Sequence, residues 1–231
     1  MTGRDRLVNP PPGELQMLIA LALLLSSTGV SSQPAEPALG IPITGDSFLQ
    51  ADEEAASPFS YNYVEAQWGF VDIDGVAEDA DLTSVSILAD MVGATFLRVE
   101  RFGENYNDNN GLTLNGSWLA IGLGFRKPLS DAVDIYGIGS YLTGDVFAEF
   151  DGSSAAIEER GLGITAGMRF RAAPSVELGA AFDWVDFGDG VDESVVSLTG
   201  FFDANDTVSI GARVMVHDDA KSLTIGLRVH F

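Results

Sequence analysis

From Tyr61 to the C-terminus the chain alternates apolar residues with small or polar ones. A period of two places successive side chains on opposite faces of a β-strand. Six segments carry the pattern most clearly. Val64, Ala66, Trp68 and Phe70 form the first apolar row, and Leu119, Ile121, Leu123 and Phe125 the next. The pattern recurs from Leu162 to Phe170, from Val176 to Trp184 and from Val208 to Val216, and it ends in Leu223, Ile225, Leu227, Val229 and Phe231. No apolar position in these rows is charged. Weaker segments at about 82–89, 94–102, 133–142 and 194–202 bring the expected strand count to ten, with eight as the alternative if two of them do not span.

Alternation alone suits a soluble β-sandwich or a closed barrel, and the residues opposite the apolar rows decide between them. They include Gly122, Gly124, Gly163, Gly167, Gly179, Gly211 and Gly226. A solvent-facing row of glycine would weaken its strands for no return. In a narrow barrel the same glycines leave room for inward Arg and Glu chains. A charge on the lipid face costs about 2–4 kcal/mol at mid-bilayer, which accounts for its absence from the apolar rows. The expected fold is therefore all-β: a closed antiparallel up-and-down transmembrane β-barrel over residues 59–231. Short turns alternate with longer acidic connections, among them the stretch Asp145 to Glu159, which reads as a long external loop. An even strand number leaves both ends of the barrel in the periplasm.

Before the barrel, Met17 to Leu25 is a short apolar run followed by the small residues Ser26 to Ser32. Residues 1–32 read as a signal peptide, with translation starting at Met1 or Met17. Residues 33–58 contain four prolines and the acidic run Asp52, Glu53, Glu54, the profile of a flexible periplasmic lead-in.

Composition narrows the chemistry. Acids outnumber bases 34 to 12, for a net charge of -22, which argues against nucleic acid as a partner. The absence of cysteine removes disulfides, thiolate catalysis and thiolate metal sites. No cofactor motif is present.

By strand parity the inward set holds Glu65, Arg98, Glu100, Arg169, Glu177, Asp183, Arg213 and Arg228, four acids against four bases. That balance predicts mutual pairing across a plugged lumen, because unpaired buried charges are costly. A small ion-conducting pore is the alternative. Arg101, Arg160 and Lys221 fall on the outward face near the external strand ends, where they would meet lipopolysaccharide phosphates or simply water. Acids crowd the external connections at Asp72, Asp74, Glu78, Asp79 and Asp81, at Asp186, Asp189, Asp192 and Glu193, and at Asp218 and Asp219. Their spacing matches no EF-hand, so a solvated repulsive surface is expected and no metal site is assigned. No catalytic residue is assigned either. Gly45, Asp46 and Ser47 echo an esterase motif, but they fall in the lead-in.

The segments SWLAIGLGF and GLGITAGMRF, together with the ending LTIGLRVHF, resemble the small OmpA-type and OmpX-type outer-membrane barrel family over about Tyr61 to Phe231. The ending, with Leu223, Ile225, Leu227, Val229 and Phe231 at alternate positions, is similar to the insertion signal of that group. The resemblance implies a bacterial outer-membrane location, the β-barrel assembly machinery as insertion partner and a lipopolysaccharide-containing membrane. It leaves the role open, since such barrels serve many. His217 beside Asp218 and Asp219 also invites comparison with omptin-type hydrolases, which have ten strands. The match fails in detail, and a non-enzymatic structural or surface-interaction role is the expectation.

Overall fold

The computed structural model describes residues 57–73, 79–107, 111–188, 191–217 and 220–231. The expected signal peptide and most of the lead-in lie outside these residues, as do Gly45, Asp46, Ser47, Asp74, Glu78, Asp189, Asp218 and Asp219.

The alternating segments form ten strands: β1 (Tyr63–Ile73), β2 (Ala80–Asp90), β3 (Thr95–Asn107), β4 (Thr113–Ser130), β5 (Val133–Phe150), β6 (Ser153–Ala173), β7 (Val176–Gly188), β8 (Val191–Asp203), β9 (Val208–Val216) and β10 (Ala220–His230). Each pairs antiparallel with its neighbours in sequence, and β1 closes the ring on β10, from Tyr63 opposite His230 to Ile73 opposite Ala220. Closure satisfies every strand edge, which a sheet in lipid requires.

The apolar rows face outward. Trp68, Val85, Ile121, Leu162, Leu198 and Ile225 are all exposed, while their neighbours Gln67, Ser86, Ala120, Ser197 and Thr224 are buried in the interior. This band runs around the whole barrel. Soluble monomers rarely expose contiguous apolar patches beyond a few hundred Å², so an encircling greasy belt over a polar interior is the signature of a barrel built for a bilayer.

Two expectations need correction. The Asp145 to Glu159 stretch is a hairpin and not a loop: β5 and β6 pair without interruption from Val133 opposite Phe170 to Phe150 opposite Ser153. The chain reverses at Asp151 and Gly152, whose φ values of 49° and 76° suit the Asp-Gly hairpin turn. With 18, 18 and 21 residues, β4, β5 and β6 exceed the roughly 9–11 residues a tilted strand needs to cross a bilayer. They therefore project beyond it on the side away from the chain ends.

The inward glycines also have a different use from the one expected. None of them faces an Arg or Glu side chain: three make room for aromatic rings, while Gly122, Gly163, Gly179 and Gly226 lie against Ser140, Leu142, Thr199 and Gln67. A Cβ at Gly124 would overlap Phe96, one at Gly167 would overlap Tyr136, and one at Gly211 would overlap Phe201.

Candidate functional site: the barrel lumen

Every member of the expected inward set points into the lumen. Glu65 on β1 and Glu177 on β7 stand four places apart on the ring of ten, and Arg228 on β10 joins them. Its Nε donates to Glu65 Oε2 at 2.8 Å and its Nη1 to Glu177 Oε1 at 2.9 Å. Arg169 on β6 grips Glu177 with two parallel bonds, Nε to Oε1 at 2.9 Å and Nη2 to Oε2 at 2.7 Å. This bidentate geometry is the stronger form of the pair. Arg213 donates to Glu65 at 3.2 Å and lies 3.9 Å from Glu100, which is also bonded by Arg98. Thr224 donates to Gln67, which in turn donates to Glu65. Asp183 stands apart from the ion pairs and accepts from Thr165 Oγ1 at 2.5 Å. The result is a continuous polar lattice across the middle of the barrel.

Below it, toward the chain ends, lies an aromatic layer that the alternation did not reveal. Phe59 and Tyr61 precede β1 and turn into the barrel, where they pack with Tyr63, Leu88, Phe96 and Ile138. The Arg169 guanidinium lies 4.6 Å from the ring centres of both Phe59 and Tyr61. Arg228 sits over Tyr63 and Phe201 at 4.2 and 3.9 Å. Arg169 Nη1 also donates to the Ser60 carbonyl at 3.0 Å. Ser57 and Pro58, placed by sequence in the lead-in, are bound to the barrel: Ser57 donates to Asp134, and the Pro58 carbonyl accepts from Arg171 at 3.1 Å. Two further pairs ring this end, Arg126 with Asp90 at 2.5 Å and Arg171 with Asp203 at 2.8 Å. All four of these side chains follow inward parity, so the same alternation that located Arg169 could have located them.

Above the lattice the lumen opens into a cavity of about 180 Å³. Its walls are largely apolar, with Leu82, Phe102, Trp118, Leu142 and Met215, and they carry Glu104 and His217 as well. Trp118 stacks on Phe102 with 5.2 Å between ring centres. Its indole fits because Gly116 and Gly144 face it, where any Cβ would overlap the ring. His217, in the connection after β9, bonds Glu193 through Nδ1 at 2.6 Å. Burial opposes the imidazolium, but the hydrogen bond and charge of Glu193 outweigh it and hold the His217 pKa above its ordinary value.

The remaining expected sites do not converge. Arg101, Arg160 and Lys221 are exposed on the outward face of β3, β6 and β10, strands that are not adjacent, so they form no single site. Lys221 stands opposite Asp72 in the β1–β10 register. His230 packs on Tyr63 at the chain-end rim, the opposite end from His217. Leu223, Ile225, Leu227, Val229 and Phe231, expected from the sequence to form an insertion signal, make an unbroken outward row on and just beyond β10. Among the described residues, no group of His, Asp and Glu has the arrangement of a metal site.

No protein-family model matches the chain. No curated protein sequence matches it either. Solved structures similar to it include Neisserial surface protein A, 15% identical with a TM-score of 0.42, covering 74% of this chain and 98% of that one. Ail, the attachment invasion locus protein of Yersinia pestis, is 12% identical with a TM-score of 0.40, covering 73% and 95%. The NanC porin is 6% identical with a TM-score of 0.49, covering 73% and 100%.

Proposed function

We propose that this protein is an outer-membrane barrel with a sealed lumen, which acts as a non-enzymatic structural or surface-interaction element and not as a pore. The observation that carries this reading is the Glu65–Arg228–Glu177–Arg169 chain, which ties strands on opposite sides of the barrel together at 2.7–2.9 Å. The aromatic layer of Phe59 and Tyr61 beneath it supports the same conclusion, because two successive barriers fill one narrow passage. Buried charges that are paired and hydrogen-bonded on several sides have little freedom to part for a passing ion.

Planar-bilayer recording tests the reading. The purified protein gives no steady conductance, and removing both barriers together, by Glu177→Ala and Arg228→Ala with Phe59→Ala and Tyr61→Ala, opens measurable current. Steady conductance from the unmodified protein would contradict it.

Lipopolysaccharide is the proposed outer-leaflet partner, with Arg101, Arg160 and Lys221 as independent phosphate contacts at headgroup level. Replacing all three by Gln lowers the lipid phosphate that co-purifies with the barrel. An unchanged amount would remove these residues from the proposal.

A further inference from the structure

Among the described residues, three side chains lining the cavity above the charge lattice have no hydrogen-bond or ion-pair partner. The Trp118 indole N–H and the Ser222 hydroxyl make no hydrogen bond, although Trp118 is only 6% exposed and Ser222 only 3%. Each such buried group left unmade costs about 1–3 kcal/mol. The third is Glu104. Arg98 is bound to Glu100, Arg213 to Glu65 and His217 to Glu193, whereas the Glu104 carboxylate makes no hydrogen bond or ion pair among the described residues.

The surroundings define what would satisfy these groups. The cavity of about 180 Å³ is of the size that accepts a small ring, since a cavity of about 150 Å³ takes benzene. Leu82, Phe102, Trp118, Leu142 and Met215 offer such a ring an apolar bed. The four lining carboxylates Glu100, Glu104, Asp183 and Glu193 exceed the two guanidiniums Arg98 and Arg213, even with His217 protonated. An anion is disfavoured there and a cation is favoured.

We infer that the outer half of the lumen is a binding site for a small aromatic or alicyclic ammonium compound bearing a hydroxyl or carbonyl group. The ring lies against Phe102 and Trp118, the ammonium pairs with Glu104, and the oxygen accepts from the Trp118 indole or the Ser222 hydroxyl. The site needs only the walls of the upper lumen, so it stands whether or not the lattice beneath it blocks ions.

The test uses the full barrel in phospholipid nanodiscs, with phenylethanolamine as probe, calorimetry as one readout and the Trp118 indole N–H resonance as the other. Phenylethanolamine binds saturably and shifts that resonance, while mandelate, which keeps the ring and hydroxyl but carries a carboxylate, does not bind. Glu104→Gln weakens binding about ten-fold or more, as the loss of a charged hydrogen bond predicts. Trp118→Phe combined with Ser222→Ala removes both donors and abolishes the preference for phenylethanolamine over phenethylamine while the barrel still folds. Absence of saturable binding would mean a cavity that holds only water, and equal binding by mandelate or by the Glu104→Gln barrel would remove the ammonium site. Any of these results overturns the inference.

Discussion

At the residue scale the lumen is governed by the cost of an uncompensated charge. Glu177 is buried and receives three hydrogen bonds from Arg169 and Arg228. Glu177→Ala leaves both guanidiniums short of a partner in the interior, and breaking a buried pair in this way costs about 3–5 kcal/mol. Urea unfolding from lipid vesicles measures the loss. Glu149→Ala, on the exposed outer face of the β5–β6 hairpin, changes stability by no more than about 0.5 kcal/mol. A second residue-scale prediction concerns pH. Because the folded His217 pKa is raised, its pair with Glu193 contributes stability fully below the unfolded value of about 6.5 and loses it as pH rises through the folded value. Titrating the His217 ring protons by NMR shows an elevated midpoint that falls in Glu193→Gln.

At the element scale, the strands were legible because lipid and lumen impose opposite chemistry on alternate residues. Leu119 to Phe125 and Leu223 to Phe231 could hardly be read otherwise. The protruding hairpin was not legible, since beyond the bilayer that contrast vanishes. Asp145, Glu149 and Glu158 face water on paired strands, and their polarity imitates a loop. The aromatic layer escaped for a related reason: Phe59 and Tyr61 lie ahead of β1, at the very start of the alternating stretch, and only the fold shows them turning inward. The inward charges could be listed by parity, yet their partners depend on barrel closure, which sets Arg228 within reach of both Glu65 and Glu177. The hairpin carries its own prediction. Gly152 holds φ at 76°, so Gly152→Val strains the turn by about 1–2 kcal/mol. Because the tip lies outside the bilayer, hydrogen exchange quickens between Val146 and Ile157 while the rest of the barrel keeps its protection.

At the scale of the whole molecule, an outward apolar belt surrounds a lumen with an aromatic layer, a charge lattice and a cavity in succession. The belt makes the barrel intolerant of outward charge: Ile225→Arg costs about 2–4 kcal/mol, an effect far larger than the same change at the exposed Asp72 near the external rim. The central claim is the direction in which the two faces point, and the tryptophans report it directly. Trp68 is 57% exposed on the outside, and Trp118 is 6% exposed in the lumen. Single-tryptophan barrels, each retaining one of the two, are reconstituted in vesicles with and without brominated phospholipid, and fluorescence quenching is compared. Strong quenching of Trp68 with Trp118 left bright is the predicted result, and quenching of Trp118 with Trp68 spared would contradict the account.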